Sequence, residues 1–144
     1  PCRADITVSD EVIEDPGSGG SDLLLVLNRE SFEAYADSLR PGGLLVAEGS
    51  AVADLTGNSI KIRTFSLPGL KEPAVRMRHT EMVVLGLVSG ACDVIGERAI
   101  RKAIVARSPK TLEKTCIEAF ETGLSLLSEG ERHCPGAAGE SEQG

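Results

Sequence analysis

Residues 21–49 contain two short apolar runs separated by one amphipathic segment. The first run, LLLVL at 23–27, is too short for a helix and lacks polar alternation, which is typical of a strand buried on both faces. The amphipathic segment has apolar residues at 32, 35, 36 and 39, the spacing of a helix that packs on a sheet. The second run, LLVA at 44–47, predicts another buried strand. Strands joined through a helix are almost always parallel and right-handed, so 21–49 predicts an α/β fold.

The limits of this helix are also predicted by its flanking residues. Asn28 is a favoured N-cap residue, because its side chain can accept a hydrogen bond from the first turn. At the other end, Pro41 disfavours helical backbone in the residue before it, and Gly42 and Gly43 permit a tight reversal. We therefore predict a helix that begins after Asn28 and stops at a Pro-Gly-Gly turn.

Weaker patterns on either side predict further extended segments. Ile6 and Val8 share one face of an alternating stretch, which predicts an opening strand, and residues 12–13 predict a second short extended piece. Residues 60–64 alternate between apolar and polar side chains, as in a half-exposed edge strand.

The second half of the chain predicts three helices. Residues 79–94 are apolar on two sides, which is typical of a buried helix. Gly86 and Gly90 lie four residues apart within it and indicate close approach of a neighbouring element. The sequence leaves open whether that neighbour belongs to the same domain or to another subunit. Residues 97–107 and 112–127 carry regular apolar stripes, the first with Ala99, Ile100, Ala103 and Ile104.

Composition restricts the class of protein. A chain of 144 residues can form one core, so we predict one domain over 1–127 and a mobile acidic tail over 128–144. A net charge of −7 with scattered basic residues argues against nucleic acid as a partner. The longest apolar stretch, 82–92, is too short to cross a membrane. Four cysteines without ligand spacing predict reduced thiols in a cytoplasmic protein and no bound metal.

No catalytic constellation is visible in the sequence. His79 and His133 have no nucleophile or carboxylate at a diagnostic spacing. The glycine-rich loop 17–20 precedes a strand, whereas a dinucleotide-binding turn follows one.

The candidate binding residues follow the two predicted strands of 21–49. Open α/β sheets bind ligands at the carboxyl ends of their strands, where Asn28 and the sequence Glu48-Gly49-Ser50 lie. Helix capping by Asn28 and a turn role for Ser50 explain the same residues without a ligand.

Several ordered blocks resemble the gamma subunit or gamma domain of the 2-oxoacid:ferredoxin oxidoreductases. The blocks are RADIxVSDExI at 3–13, DLxLxLN at 22–28, PGG at 41–43, MVxLG at 82–86, AI at 99–100 and AFxxG at 119–123. The resemblance covers about 3–127 and implies a three-layer, Rossmann-like α/β domain with a mainly parallel sheet. The family's GxGGQG turn and the Arg-Gly-Gly that follows it are absent here, so we expect the family's first βα unit to be missing from this chain.

The resemblance implies a role in an oxidoreductase that converts a 2-oxoacid and CoA to acyl-CoA and CO2 and passes electrons to ferredoxin. In that family other subunits hold thiamine diphosphate and the iron–sulfur clusters, so this chain is expected to bind no cofactor and to serve assembly. The alternatives are a freestanding small-ligand or nucleotide-binding module and a paralogue that has lost its partners. The sequence does not determine which 2-oxoacid is used. It also leaves the oligomeric state open, including whether the isolated chain forms homo-oligomers.

Overall fold

The computed structural model describes residues 3–15, 19–54, 60–67 and 79–127. In chain order, its elements are β1 (Ser21–Val26), α1 (Arg29–Tyr35), β2 (Leu39–Glu48), β3 (Lys61–Phe65), α2 (Thr80–Ala91), α3 (Glu97–Arg107) and α4 (Glu113–Leu126). Short 3₁₀ turns cover Ala36–Ser38 and Gly49–Ala51. The chain divides between Thr64 and Phe65 into two compact units, which are described separately.

The first unit contains a three-stranded sheet in the order β1-β2-β3. β1 and β2 are parallel, with Leu24 opposite Leu45 and Val26 opposite Ala47. A helix connects these two strands, so the predicted crossover is confirmed. The chain therefore has an α/β fold with a partial Rossmann-like sheet.

The core of this unit lies between α1 and one face of the sheet. It consists of Val26, Phe32, Leu45, Ala47, Ala51 and Val52. On β2, Leu44 and Val46 alternate with the core residues and are also buried, so this central strand is buried on both faces as predicted. β1 lies at the end of the strand order and its Leu23–Leu25 side chains are only half-buried, so the prediction of a strand buried on both faces is wrong for β1.

The Pro-Gly-Gly segment is not the predicted turn. The helix ends at Tyr35, and β2 already begins at Leu39 and runs through the segment. The strand pairing moves from Ser21 opposite Leu39 to Leu23 opposite Leu44, so β2 carries extra residues here as a bulge. Gly42 has a φ of 82°, which the bulge requires. The glycines thus bend a strand, because pairing with β1 prevails over the local turn preference.

The predicted strands near the start of the chain are wrong. Residues 3–15 contain no strand or helix, and Ile6 and Val12 are 76% and 89% exposed. An alternating pattern forms a strand only beside a neighbouring strand, and the described sheet pairs none with this segment. The alternation at 60–64, by contrast, corresponds to β3, and Ile60 and Ile62 pack on the core.

The second unit contains the three predicted helices. α3 has the predicted limits, whereas α2 ends at Ala91 instead of 94. α3 and α4 share a buried cluster of Ile100, Ile104, Cys116 and Phe120. Two residues of the predicted α3 stripe, Ala99 and Ala103, are exposed, because the apolar contact of α3 with α4 is made by Ile100 and Ile104.

Several predictions fall on residues outside the described ranges. These are the turn at 56–59, most of the loop at 66–73 and the acidic tail at 128–144 with His133. None of the helices in the described ranges combines the length and the apolar character that a bilayer crossing requires.

Candidate functional site

The structure brings the predicted binding residues to one edge of the sheet. β1 and β2 are parallel, and Val26 lies opposite Ala47, so both strands end at the same edge. Asn28 follows β1, and Glu48 is the last residue of β2. Gly49 and Ser50 form the 3₁₀ turn directly after it. Their role in binding a ligand stays a prediction.

Asn28 is the N-cap of α1. Its Oδ1 accepts a hydrogen bond from the backbone N–H of Ser31 at 2.8 Å. Its backbone is extended, with φ −153° and ψ 168°, as N-cap residues typically are. This contact satisfies one of the free N–H groups of the first turn and engages the oxygen that a ligand would otherwise contact.

Glu48 has an equivalent role at the second 3₁₀ turn. Its Oε2 accepts a hydrogen bond from the backbone N–H of Ser50 at 2.9 Å and another from the Ser50 hydroxyl. Both hydrogen-bond donors of Ser50, the backbone N–H and the hydroxyl, therefore point back to the end of β2. The arrangement closes the turn that buries Ala51 in the core.

An ion-pair cluster beside these residues was not predicted from the sequence. The Arg29 guanidinium donates to Glu33 at 2.9 Å, to Asp54 and to the carbonyl of Ala51 at 3.4 Å. The hydrogen bond from Arg29 lowers the pKa of Asp54, and the bonds to Glu33 and Asp54 raise the pKa of Arg29. The i,i+4 spacing of Arg29 and Glu33 is a local signal. Asp54 lies 25 residues from Arg29, and no sequence pattern connects them.

The predicted interface glycines pack inside the second unit. A Cβ on Gly86 would lie 2.2 Å from the Phe120 carbonyl oxygen, and a Cβ on Gly123 would lie 2.1 Å from the Val83 carbonyl oxygen. α2 and α4 therefore cross with backbone directly against backbone. Gly90 faces the same helix at ordinary contact distance, 3.6 Å from the Leu124 carbonyl oxygen. A role for Gly86 and Gly90 between subunits stays a prediction.

Among the residues that the structure describes, the remaining reactive side chains form no recognisable catalytic group. His79 precedes α2 with a φ of 67°, and its Nδ1 lies 3.5 Å from Glu81. The thiols of Cys92 and Cys116 are buried. Within the described ranges, no three His, Cys, Asp or Glu side chains are grouped as metal ligands. The polar groups at the carboxyl ends of β1 and β2 thus close turns and join segments of the chain.

The sequence profile of the pyruvate ferredoxin/flavodoxin oxidoreductase family matches residues 1–126. The chain belongs to this family. The match includes all the helices and strands described above.

Relatives within the pyruvate ferredoxin/flavodoxin oxidoreductase family extend this result. The chain is 28% identical over 140 residues to the 2-oxoglutarate synthase subunit KorC of Methanothermobacter marburgensis, covering 90% of this chain and 74% of the relative. It is 24% identical over 134 residues to the KorC subunit of Methanocaldococcus jannaschii, covering 88% and 70% of the two chains.

A solved structure shares the fold of this chain. It is the gamma subunit of a keto/oxoacid ferredoxin oxidoreductase from Geobacter sulfurreducens, with a TM-score of 0.62 and 24% sequence identity. The match covers 74% of this chain and 64% of that subunit. The chain thus spans somewhat less than two thirds of the solved subunit.

Proposed function

We propose that the chain is a non-catalytic gamma-type subunit of a 2-oxoacid:ferredoxin oxidoreductase. The complex would convert a 2-oxoacid and CoA to acyl-CoA and CO2 and reduce ferredoxin. Its thiamine diphosphate and iron–sulfur clusters would be held by other polypeptides. The family match over residues 1–126 carries this proposal, and the relatives named as 2-oxoglutarate synthase subunits support it.

The contacts of the candidate site support an assembly role for this chain. Asn28 and Glu48 accept hydrogen bonds from their own turns, and Arg29 is paired with carboxylates of the same unit. A site that moves protons or attacks a substrate needs a nucleophile or base beside a partner that activates it. The polar groups here stabilise turns instead, as expected of a subunit that shapes a complex.

Reconstitution tests the proposal directly. The full chain would be mixed with the thiamine- and cluster-binding polypeptides of the same organism, and CoA-dependent ferredoxin reduction would be measured with a panel of 2-oxoacids. The name of the relatives makes 2-oxoglutarate the first substrate to assay. We expect no turnover by this chain alone and a clear loss of turnover when it is omitted. Full activity without this chain would contradict the proposal.

A freestanding ligand-binding module is the second candidate, because Asn28, Glu48 and Ser50 do share one sheet edge. Such a module would bind nucleotides or CoA by itself. Ligand binding to the folded state raises the melting temperature, so a thermal shift with CoA, ATP and NAD on the isolated chain separates the two functions. A shift that Asn28→Ala and Glu48→Gln abolish would favour the module. We expect no shift.

A further inference from the structure

α3 contacts the rest of its unit through only one face. Ile100 and Ile104 are buried against α4. The opposite face, named here the outer α3 face, consists of Arg98, Lys102, Val105 and Ala106, all exposed. With Arg101 at its border, this face lines an open depression of about 350 Å³.

The charge of this helix is opposite to that of the whole chain. The chain has a net charge of −7, whereas α3 together with the three residues after it, 97–110, contains five basic side chains and one acidic side chain, a net +4. The basic residues are Arg98, Arg101, Lys102, Arg107 and Lys110, and the acidic residue is Glu97. A concentrated positive charge in an acidic protein creates a local field that attracts acidic surfaces.

The basic residues of α3 differ in how they are paired. Arg101 donates to Glu97 at 2.9 Å and to Glu121 at 2.7 Å, and its guanidinium lies 5.4 Å from the centre of the Phe120 ring. Arg101 therefore joins α3 to α4. Arg98 and Lys102 form no ion pair within the described ranges, so no carboxylate there neutralises their charges.

Neither of these charges helps α3 to form. Arg98 is the second residue of α3, where the partial positive charge of the helix N-terminus repels a cation. It also lies four residues before Lys102, and like charges at this spacing repel each other. At the equivalent position of α4, Lys114 has Glu118 at 3.8 Å. The repulsion between Arg98 and Lys102 on the outer α3 face thus destabilises the folded chain.

We propose that the outer α3 face docks an acidic surface of a partner polypeptide. Val105 is 46% exposed and, with Ala106, supplies apolar contact. Arg98 and Lys102 lie beside this apolar area and meet carboxylates of the partner, the usual arrangement of an apolar centre with a charged rim. The identity of the partner, a thiamine- or cluster-binding polypeptide of the complex, rests on the proposed function.

Charge reversal with a matched control tests this proposal. Arg98→Glu and Lys102→Glu change the outer α3 face, while Lys114→Glu makes the same kind of change at the second residue of α4. The affinity of each full-length variant for the partner polypeptides would be measured at several salt concentrations. We expect Arg98→Glu and Lys102→Glu to raise the Kd about tenfold or more, and Lys114→Glu to leave it nearly unchanged. Salt should weaken wild-type binding.

The stability of the isolated chain provides the second measurement. Arg98→Glu removes the repulsion with Lys102 and places an anion at the helix N-terminus, so its Tm should rise by about 2 °C or more. A higher Tm together with weaker partner binding supports docking, because a misfolded variant could not show both.

Three results would overturn the proposal. If wild type binds the partners and both reversals bind equally well, the outer α3 face is not the docking surface, although the proposed function stands. If wild type does not bind the partners at all, both proposals fail. If Arg98→Glu abolishes binding to a short DNA duplex but not to the partners, the outer α3 face binds nucleic acid and not a partner polypeptide.

Discussion

Gly86 and Gly123 allow α2 and α4 to approach more closely than any side chain permits. Each glycine faces a backbone carbonyl of the opposite helix, and backbone cannot move aside as the end of a flexible side chain can. The two glycines therefore permit the short distance between α2 and α4, because neither carries a methyl group. Gly90, one turn further along α2, faces the same helix with ordinary spacing.

This difference predicts opposite outcomes for two similar substitutions. Gly86→Ala places a Cβ 2.2 Å from the Phe120 carbonyl oxygen and should destabilise the chain by about 2–3 kcal/mol. Gly90→Ala meets nothing closer than 3.6 Å and should be neutral or stabilising by up to about 1 kcal/mol, because alanine favours helix. Urea unfolding monitored by circular dichroism measures both. Equal effects of the two variants would contradict the close crossing.

Asn28 provides a residue-level test of capping against ligand binding. Asn28→Ala removes the acceptor for the Ser31 N–H and should cost about 1 kcal/mol in the free energy of unfolding. Asn28→Asp keeps an acceptor and should stay close to wild type. If capping is the whole role of Asn28, Asn28→Asp also supports full turnover in the reconstituted complex. An Asn28→Asp variant that is stable but inactive would show that the amide itself is required.

The ion-pair cluster of Arg29 connects α1 to the segment after the second 3₁₀ turn. Its hydrogen bond lowers the pKa of Asp54 in the folded state, so this contact stabilises the fold where Asp54 is ionised. The stabilisation is fully present above the unfolded pKa, about 3.9, and is lost as the pH falls through the lowered folded value.

The pH dependence of thermal stability should therefore change in one variant. Between about pH 5 and pH 2, the Tm of Asp54→Asn should fall less steeply than that of wild type. Asp37→Asn, which removes another exposed carboxylate in the same unit, serves as the control variant. The side chain of Asp54 is 73% exposed, so the difference should be small and should shrink in high salt.

The bulge in β2 depends on Gly42. With a φ of 82° and no atom within 4 Å of its missing Cβ, the only obstacle to a side chain there is the backbone conformation. Gly42→Ala should cost about 1–2 kcal/mol, and Gly42→Asn should cost less, because asparagine tolerates positive φ better. Denaturant unfolding of the two variants checks this order. An Ala variant as stable as wild type would mean that the bulge can relax.

The sequence predicted best those elements whose limits are set by neighbouring residues. α3 has the predicted limits because a local stripe with Ile100 and Ile104 precedes Ser108-Pro109. The Pro-Gly-Gly segment was misassigned because its conformation depends on pairing with β1, which a local turn preference does not include. The Arg29–Asp54 pair was missed for the same reason: only the folded sheet edge brings these residues together.

At the scale of the whole molecule, the first described segment exposes apolar side chains. In residues 3–15, Ile6, Val8 and Val12 are more than half exposed, although an isolated domain gains stability by burying such side chains. Apolar segments exposed in this way commonly mark contact surfaces.

Hydrogen exchange on the isolated chain compares the protection of residues 3–15 with that of the central strand. The amides of residues 3–15 should exchange far faster than those of Leu45 and Val46 in the central strand β2. In a reconstituted complex, slower exchange in the 3–15 segment would locate it at a subunit contact. Strong protection of that segment in the isolated chain would contradict the absence of a strand there.

β1 has a strand neighbour on only one side within the described sheet, and its three leucines are half-buried. Among the described residues no strand pairs with its other side, so the backbone amide and carbonyl groups there can pair with an extended peptide, including another copy of the same strand. The isolated chain should therefore self-associate increasingly as its concentration rises, and simultaneous synthesis of companion polypeptides that cover β1 should reduce this self-association.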